Sequence, residues 1–232
     1  MTFKDGDFLE IDYSMWDATD NSLVATTEEQ KAKNGGIYNK DTRYGPTLVV
    51  LGANNVISGL DKALHSMSVN EQKKFTFKPE EAFGERNEEF VRVMPIAGFR
   101  KNDIDPYVGM QVNIDNMPVI VKSINSGRVV VDANHPYAGR DVIYEVKIVK
   151  ALVSDREKVE ALGKSYGAAP TKIEEKEGAL VLSFNDSVSK DANYFMGKAN
   201  LVASIFANLK TDKVKIEEEY ERPKEKKNEE KA

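Results

Sequence analysis

Apolar side chains stand at every second position between residues 8 and 15 of the chain. A period of two is typical of a β-strand with one buried face, because successive side chains of a strand point to opposite sides. The same period returns between residues 142 and 148. The positions that this pattern predicts to face a core are Leu9, Ile11, Tyr13, Met15, Val142, Tyr144, Val146 and Ile148.

The next patterned segment predicts a strand followed by a short helix. The apolar run over residues 48–51 stops at Gly52, which indicates a strand that ends in a turn. Apolar residues at helical spacing follow from Leu60 onward. Ser58 stands three residues before Asp61, and this spacing predicts a capping box that begins the helix.

Phe75 and Phe77 alternate with polar residues and predict a return strand with a buried aromatic face. A strand, a helix laid across a sheet and a return strand enclose a shallow apolar cup. The segment 48–84 carries no pattern of a nucleophile beside its base and no set of metal ligands. The sequence therefore predicts a binding cup, and we expect neither a metal nor a cofactor.

The order of residues in this segment resembles the FKBP-type peptidyl-prolyl isomerases. Four short motifs carry the resemblance, and their spacing holds from residue 51 to residue 84. The motifs are Leu51-Gly52, Val56-Ile57-Ser58-Gly59-Leu60, Met67-Ser68-Val69 and Ala82-Phe83-Gly84.

Two further stretches narrow the resemblance within the family. Residues 134–139, which read Asn-His-Pro-Tyr-Ala-Gly, look like the NHPLAG-type stretch of the SlyD-like members. Residues 37–46 look like a loop of the long archaeal members. The resemblance implies an α+β fold, in which an antiparallel sheet wraps on a short helix and carries a mostly β insert and a carboxy-terminal α+β domain.

The resemblance and the residue pattern together divide the chain into four parts. The isomerase domain would be discontinuous, over residues 1–85 and 134–151, because an insert over residues 86–133 emerges from its flap. Residues 152–220 predict a carboxy-terminal α+β domain. Residues 221–232 are rich in Lys and Glu and predict a disordered charged tail.

The resemblance also implies a proline pocket. Rotation about an X–Pro bond faces a barrier of ~18–20 kcal/mol, because the planar amide loses its resonance when it twists. An apolar cup that fits the twisted ring lowers this barrier without covalent chemistry. Leu60 would form the floor, and the N–H of Ile57 would donate to a peptide carbonyl. The implied catalytic residues are Tyr13, Val24, Val56, Ile57, Leu60, Phe83 and Tyr144.

Ordinary core packing is the competing interpretation of these residues, since Leu60 and Tyr144 would pack the sheet in either case. Three positions also depart from the family pattern. Phe83 stands where a tyrosine is usual, Ala25 where an aspartate is usual, and Leu60 where an aromatic floor is common. A lost hydrogen bond costs about 0.5–1.5 kcal/mol, which is up to several-fold in rate. We therefore expect weakened isomerase activity.

The insert implies a second site, because SlyD-like proteins bind unfolded chains there. Residues 110–114, 118–124 and 128–132 predict strands, with a hairpin turn over residues 125–127 and an edge segment at Pro95. Filling of the insert's own small core is the competing interpretation of its apolar residues. The candidates for an exposed chain-binding groove are Phe90, Val91, Val93, Met94, Ile96 and Phe99.

The residue pattern over residues 152–220 predicts the element order α-β-β-α-β for the carboxy-terminal domain. Residues 190–210 show a strong helical period that places five apolar side chains on one face. An open sheet of this kind has exposed edges, and pairing of edges between two chains covers them, so we expect a homodimer through this domain. The five residues on this face are Phe195, Ala199, Val202, Phe206 and Leu209.

Charge and cysteine content limit the classes of binding partner and the kinds of chemistry that the chain can carry. The formal net charge of -5 argues against nucleic acid and anionic membranes as partners, since both attract basic surfaces. The absence of cysteine excludes disulfides and thiol catalysis. No run approaches the ~20 apolar residues of a membrane helix, and the first residues show no leader, so we expect a cytoplasmic location. Of the two histidines, we expect His65 to be a solvated helix residue and His135 to fasten a turn.

These observations favour a cytoplasmic prolyl isomerase with a chaperone insert that acts on unfolded or proline-containing polypeptides. The main alternative is a non-enzymatic holdase that keeps the fold without useful catalysis. A third interpretation is an assembly module that dimerises through the carboxy-terminal domain.

Overall fold

The computed structural model describes residues 2–185 and 192–219 and shows an α+β chain of mainly antiparallel strands. Its first elements are β1 (Phe8–Asp17), β2 (Leu23–Thr26), α1 (Glu29–Asn34), β3 (Thr47–Val50), α2 (Ser58–His65) and β4 (Gln72–Phe77). The next are β5 (Val91–Pro95), α3 (Ile96–Arg100), β6 (Gln111–Ile114), β7 (Met117–Asn125) and β8 (Arg128–Asp132). The last are β9 (Val142–Leu152), α4 (Asp155–Ser165), β10 (Lys172–Lys176), β11 (Ala179–Asn185), α5 (Ala192–Asn208) and β12 (Val214–Glu219). The predicted fold class is confirmed.

The first sheet has the strand order β2-β1-β9-β4, and β3 pairs with β1. Strand β9 is antiparallel to both of its neighbours and pairs with β1 along its length, from Phe8 opposite Leu152 to Asp17 opposite Val142. The strand predicted after the insert therefore completes a sheet that begins before the insert.

Helix α2 lies close against this sheet because Gly59 has no side chain. A Cβ atom at Gly59 would stand 2.5 Å from the ring of Phe77 in β4. Leu60 and Leu64 of the same helix are buried in the core between helix and sheet. The short distance explains why a glycine stands between Ser58 and Leu60.

The predicted capping box of α2 is wrong. Ile57 is the residue that precedes the helix, in an extended conformation with φ -60° and ψ 147°, so Ser58 already lies in the first turn. The Ser58 hydroxyl donates to the Glu81 carbonyl at 3.2 Å. The Asp61 carboxylate instead accepts a hydrogen bond from the N–H of Gly52 at 3.0 Å and so fastens the turn before the helix.

The insert forms a second sheet in the order β5-β8-β7-β6. Pro95 ends the edge strand β5, as predicted. Ser126 and Gly127 have positive φ angles of 48° and 75° and join β7 to β8 by the predicted hairpin turn. The core of the insert consists of Phe99, Val112, Val119, Val121, Val129 and Val131.

Two segments that connect the insert to the first sheet are fastened to each other. The N–H of Asn87 donates to the Asn134 side chain at 2.8 Å, and the Asn134 amide donates back to the Asn87 carbonyl at 2.8 Å. Arg86 forms an ion pair of 2.7 Å with the buried Asp132. Burial alone would raise the pKa of Asp132, but hydrogen bonds from Asn134 and Arg86 outweigh it and lower the pKa.

The third sheet has the order β10-β11-β12, with β10 antiparallel and β12 parallel to β11. The observed order α4-β10-β11-α5-β12 matches the predicted α-β-β-α-β. Its core is continuous with the first sheet, because Phe8, Val50 and Leu152 lie in the same buried cluster as Leu162 and Leu201. The boundary between residues 151 and 152 stays a prediction, and packing crosses it.

The predicted helix is present as α5, but its five-residue apolar face is not the face that packs against the core. Phe195 and Phe206 are 48% and 49% exposed, and Leu209 alone of the predicted residues is buried. Gly197 selects the other face, because a Cβ atom there would stand 2.3 Å from the Tyr166 carbonyl oxygen and no larger residue permits this approach. The buried residues of α5 are Tyr194, Gly197, Lys198, Leu201 and Ile205.

The predicted tail, residues 221–232, lies outside the described residues, as does Tyr220 at the end of the last predicted strand. Among residues 2–185 and 192–219, no helix has the length and apolar character that crossing a membrane requires. The part of the chain that positions the candidate site is the first sheet with α2 and the segments on either side of the insert.

Candidate functional site

A cavity of about 730 Å³ lies between α2, the first sheet and the segments that flank the insert. None of the described residues that line it is Asp, Glu, Lys or Arg. Its walls therefore combine aliphatic and aromatic side chains with a few neutral polar groups. Every residue implied for the proline pocket lines this cavity, namely Tyr13, Val24, Val56, Ile57, Leu60, Phe83 and Tyr144.

Aromatic stacking shapes one side of the cavity. The rings of Tyr13 and Tyr144 lie 5.8 Å apart at an angle of 29°, and the Phe77 ring packs against Tyr144 at 5.8 Å. Leu60, which is 2% exposed, lies in the same buried cluster as Phe77 and Tyr144. Leu60 and Tyr144 are therefore consistent with both core packing and a proline pocket, because they pack the core and also line the cavity.

Two tyrosine hydroxyls of the cavity have no hydrogen-bond partner among the described residues. Burial raises the pKa of Tyr13, and burial followed by the neighbouring Tyr13 raises the pKa of Tyr144. Both phenols are therefore neutral O–H donors at neutral pH. Because a buried donor without a partner costs free energy, these hydroxyls favour a bound carbonyl or a bound water.

The backbone N–H of Ile57 also has no acceptor within residues 2–185 and 192–219. Ile57 precedes α2, and its own carbonyl accepts the N–H of Asp61 at 3.0 Å. The first N–H groups of a helix have no intrahelical acceptor, so the N–H of Ile57 is available to a ligand. This geometry is compatible with the donor role that the resemblance implies for Ile57.

His135 and Tyr137 line the same cavity, and sequence reasoning missed both. The imidazole of His135 stacks on the Phe83 ring with centroids 4.1 Å apart and 6° between planes. The expected turn is also present, because the N–H of Tyr137 donates to Nδ1 of His135 at 3.2 Å. The signal that could have found these residues is the stretch 134–139, which contains both.

Burial lowers the pKa of His135 below its ordinary value of 6.5. The ring is therefore neutral at neutral pH, which suits a wall of an apolar cavity. Nδ1 accepts the hydrogen bond from Tyr137, so the proton of the neutral ring is on Nε2.

The positions that depart from the family pattern all lie at the cavity. Ala25 lines it without a carboxylate, and Phe83 lines it without a hydroxyl. Leu60 supplies an aliphatic surface where an aromatic one is common. Donors at the cavity include the N–H of Ile57, the tyrosine hydroxyls and the Nε2–H of His135.

The residues predicted for the insert surface differ in exposure. Phe90 and Val93 are 48% and 60% exposed, whereas Val91, Met94 and Ile96 are partly buried. Phe99 is 4% exposed and belongs to the core of the insert, so Phe99 is not available to a bound chain. The structure therefore divides the predicted set between the surface and the core.

His65 lies on helix α2 as expected, but its side chain is only 29% exposed and both ring nitrogens have partners. Its Nδ1 lies 2.8 Å from the Asp61 carbonyl and its Nε2 lies 3.0 Å from the Asp5 carboxylate. The Asp61 carbonyl and then the Asp5 carboxylate raise the pKa of His65 above 6.5. Among the described residues, these three form the one cluster with metal-ligand types, and hydrogen bonds already occupy both nitrogens of its imidazole.

Comparison with known proteins identifies two family models that match the amino-terminal part of the chain. A family model described as FKBP-type peptidyl-prolyl cis-trans isomerase matches residues 1–98. A second model, described as FKBP26, IF domain, matches residues 92–137. Together the two matches include the insert and every residue that lines the cavity except Tyr144.

Curated relatives agree with the family models. The chain is 29% identical over 145 residues to the short-type peptidyl-prolyl cis-trans isomerase of Methanocaldococcus jannaschii, which covers 62% of this chain and 91% of that protein. It is 30% identical over 152 residues to the FKBP-type peptidyl-prolyl cis-trans isomerase SlyD of Haemophilus influenzae, covering 64% of this chain and 79% of that protein. The SlyD of Pasteurella multocida is 29% identical over 143 residues, covering 60% and 71%.

Proposed function

This chain belongs to the FKBP-type peptidyl-prolyl cis-trans isomerases and is of the SlyD-like type, and from that membership we propose that it isomerises X–Pro bonds in unfolded or partly folded polypeptides. The observation that carries the proposal is the uncharged cavity of about 730 Å³ that the implied pocket residues line together. The prolyl ring would occupy this cavity, with its preceding carbonyl near the unpaired donors.

The proposed catalysis is selective stabilisation of the twisted amide. When the X–Pro bond rotates, the amide loses resonance and its carbonyl dipole weakens, so the twisted state is less polar than either planar state. A water-poor apolar cavity therefore favours the twisted state over both planar ones. The N–H of Ile57 and the hydroxyls of Tyr13 and Tyr144 would hold the flanking peptide without forming a covalent bond.

We also propose that the activity is weakened relative to members with the usual residues. Phe83 and Ala25 each lack a polar group at the cavity, and an aliphatic Leu60 fits a prolyl ring less closely than an aromatic surface. The alternative function is a holdase with a degenerate pocket. The same three residues favour that alternative, and an activity measurement separates the two.

The experiment is an isomer-specific protease assay on a proline-containing tetrapeptide. We expect acceleration by the wild-type chain and a loss of about tenfold or more in kcat/KM for Val56→Glu, which places a charge in the apolar cavity. Val69→Glu is the matched control, since Val69 is 40% exposed and does not line the cavity. Absence of acceleration at micromolar wild-type chain would contradict the isomerase proposal and leave the holdase.

The proposed chaperone site is the exposed part of the insert around Phe90 and Val93. The carbonyl of Phe90 accepts the N–H of Ala133 at 2.9 Å, two residues before His135 of the cavity. A bound chain could therefore extend from the cavity along this side of the insert. Exposed apolar side chains of this kind favour contact with unfolded polypeptides.

Suppression of aggregation of a chemically denatured protein tests the chaperone proposal. We expect Val93→Ser to weaken suppression, while Val153→Ser leaves it unchanged. The control is matched because Val153 is 81% exposed and lies outside the insert, so both variants remove one exposed valine. Equal suppression by both variants would contradict a role for the insert surface.

A homodimer through the carboxy-terminal domain is the proposed assembly. It is supported by exposed apolar residues on neighbouring elements of that domain, because Phe195, Met196 and Phe206 of α5 and Ile216 of β12 are 45–63% exposed. Strand β12 is also an edge of its sheet. Light scattering after size exclusion tests the proposal: a dimer that Phe206→Glu dissociates supports it, and a monomeric wild-type mass contradicts it.

The cytoplasmic location stays a proposal. Its test is fractionation of cells that produce the full chain with a small tag. Recovery of the chain in the membrane or secreted fraction would contradict it.

A further inference from the structure

A second cavity of about 330 Å³ adjoins the proline cavity on the side of the carboxy-terminal unit. The two cavities share Tyr13, Thr47 and Leu48 in their walls. The outer cavity is different in character, because Glu10, Arg43 and Lys164 contribute charged groups to it. Helix α4 contributes Ala161, Lys164 and Ser165 to the wall of the outer cavity.

The loop over residues 37–46 forms one wall of the outer cavity and is held in place by several contacts. The N–H of Gly45 donates to the Thr27 carbonyl at 2.8 Å. The N–H of Asn39 donates to the Tyr44 hydroxyl at 3.0 Å, and the rings of Tyr38 and Tyr44 stack at 5.7 Å. The wall that carries Arg43 is therefore fastened to the first sheet.

The cations of the outer cavity have no carboxylate partner in the structure. Neither Arg43 nor Lys164 forms an ion pair with any of residues 2–185 and 192–219, whereas Lys158 of α4 and Lys150 of β9 do. The hydroxyls of Thr42 and Thr47 make no hydrogen bond within the described chain either. Two positive charges against the single Glu10, with unpaired hydroxyl donors beside them, favour a negatively charged ligand.

We propose that the outer cavity binds an acidic side chain of the polypeptide whose proline occupies the neighbouring cavity. This inference rests on the proposed function, since the two cavities share Tyr13, Thr47 and Leu48 in their walls and a chain bound in the first would extend toward the second. An Arg guanidinium matches a carboxylate in two hydrogen bonds, and Lys164 adds a point charge. The carboxy-terminal unit thereby contributes Lys164 to substrate selection.

The expected effect is modest, because both cations are exposed and water screens them. Partly exposed ion pairs change equilibria by about two- to fivefold, and we expect a preference of this size for Glu over Gln at one position. High salt should reduce the preference, since screening weakens interactions between exposed charges.

The experiment uses the full-length chain and a series of proline peptides in which a single Glu or Gln occupies successive positions on either side of the proline. Exchange spectroscopy gives kcat/KM, and fluorescence anisotropy gives Kd for each peptide. The quantity compared is the ratio of kcat/KM, and of Kd, between the Glu peptide and the Gln peptide at each position. Each variant therefore serves as its own reference. We expect a ratio above about twofold for wild type at one position, and a ratio near one for Arg43→Gln/Lys164→Gln.

Arg100→Gln/Lys210→Gln is the matched control, since both residues are exposed, without an ion pair among the described residues, and outside the cavity. It should keep the wild-type ratio. Arg43→Glu/Lys164→Glu should prefer Lys over Gln at the same position. A wild-type ratio near one at every position, or an unchanged ratio in Arg43→Gln/Lys164→Gln, would overturn the proposal. Absence of isomerisation of every peptide would instead contradict the proposed function. The Kd ratios would still test whether the outer cavity binds an acidic side chain.

Discussion

The imidazole of His135 lies parallel to the ring of Phe83, with 4.1 Å between centroids and 6° between planes. One ring follows the insert in sequence and the other precedes it. The stack therefore joins the two segments from which the insert emerges, directly at the wall of the proposed proline cavity. Tyr137 packs against both rings at 5.9 Å and extends this wall.

The stack predicts a role for the His135 ring in substrate binding. We expect His135→Ala to lower kcat/KM on a proline tetrapeptide by about two- to tenfold, because an aromatic pair contributes ~0.5–1.5 kcal/mol beyond its buried area. His135→Phe preserves a stacked ring and should retain most of the activity. Equal kcat/KM for His135→Ala and wild type would show that the stack does not shape the site.

The two histidines predict opposite pH dependences of stability. Both ring nitrogens of His65 face acceptors, so the folded state favours the protonated form and the pKa is raised above 6.5. The contribution of His65 is therefore complete below pH 6.5 and is lost as pH rises through the raised pKa. Burial lowers the pKa of His135, so folding loses stability as pH falls from 6.5 through the lowered pKa.

Urea denaturation of His65→Gln and His135→Gln at pH 5.5 and pH 8.5 measures these contributions. We expect the stability advantage of wild type over His65→Gln to be larger at the lower pH. For His135→Gln the advantage of wild type should be larger at the higher pH. A difference from wild type that is the same at both pH values, for either variant, would contradict the corresponding assignment.

Phe83→Tyr tests whether the missing hydroxyl weakens activity. The tyrosine ring can keep the stack on His135 and adds a donor at the cavity. We expect kcat/KM to rise by up to several-fold, the equivalent of one hydrogen bond formed in the transition state. Phe75→Tyr is a useful control, because Phe75 packs against Phe77 and does not line the cavity. An unchanged or lower rate for Phe83→Tyr would contradict this explanation of weakened activity.

Local patterns predicted the first strand well, but they could not say what covers its second face. Leu9, Ile11 and Met15 are buried as the period of two predicts. Phe8 is also buried, and its side chain belongs to the core shared with the carboxy-terminal unit. Ser14 lies on the opposite face from Leu9, Ile11 and Met15 and is nevertheless 1% exposed, with its hydroxyl 2.8 Å from that of Thr26. Both exceptions come from contacts distant in sequence.

In the candidate site, too, local motifs predicted some features, and contacts distant in sequence decided the others. The spacing of the motifs from residue 51 to residue 84 identified the family, and the family implied which residues meet at the cavity. The stack of His135 on Phe83 joins residues on opposite sides of the insert, so no local period contains it. Helix α5 shows a related limit: it has apolar residues on two faces, and only the close approach of Gly197 to Tyr166 decides which face is buried.

We expect Gly59→Ala to lower the free energy of unfolding, because the added methyl group overpacks the contact between helix α2 and the first sheet. The added Cβ would stand 2.5 Å from the Phe77 ring, so helix or ring must shift, at a cost of about 1–3 kcal/mol. This outweighs the gain of up to about 1 kcal/mol that alanine gives a helix over glycine. Gly98→Ala in α3 is the matched control, because no atom lies within 4 Å of its added Cβ and only the helical gain remains. Urea denaturation should show opposite signs for the two variants, and equal effects would contradict the packing argument.

The ion pair between Asp17 and Arg140 fastens the end of β1 to the segment that carries His135. Nη1 of Arg140 lies 2.5 Å from an Asp17 carboxylate oxygen, and the N–H of Thr19 donates to the other oxygen at 2.8 Å. The Asp17 side chain is 2% exposed, whereas that of Arg140 is 49% exposed. Burial alone would raise the pKa of Asp17, but the hydrogen bonds from Thr19 and Arg140 outweigh it and lower the pKa.

Arg140→Met should therefore destabilise the chain at neutral pH by ~1–3 kcal/mol, because it leaves a buried carboxylate without its cation. The wild-type contribution is present above the ordinary pKa of 3.8 and is lost as pH falls through the lowered value, so the difference between wild type and Arg140→Met should shrink in acid. Arg156→Met is the control, since its pair with Glu160 is exposed on both sides and such pairs contribute at most about 1 kcal/mol. Urea denaturation at several pH values measures both variants. Equal losses for Arg140→Met and Arg156→Met would contradict the argument, because only the first removes the partner of a buried charge.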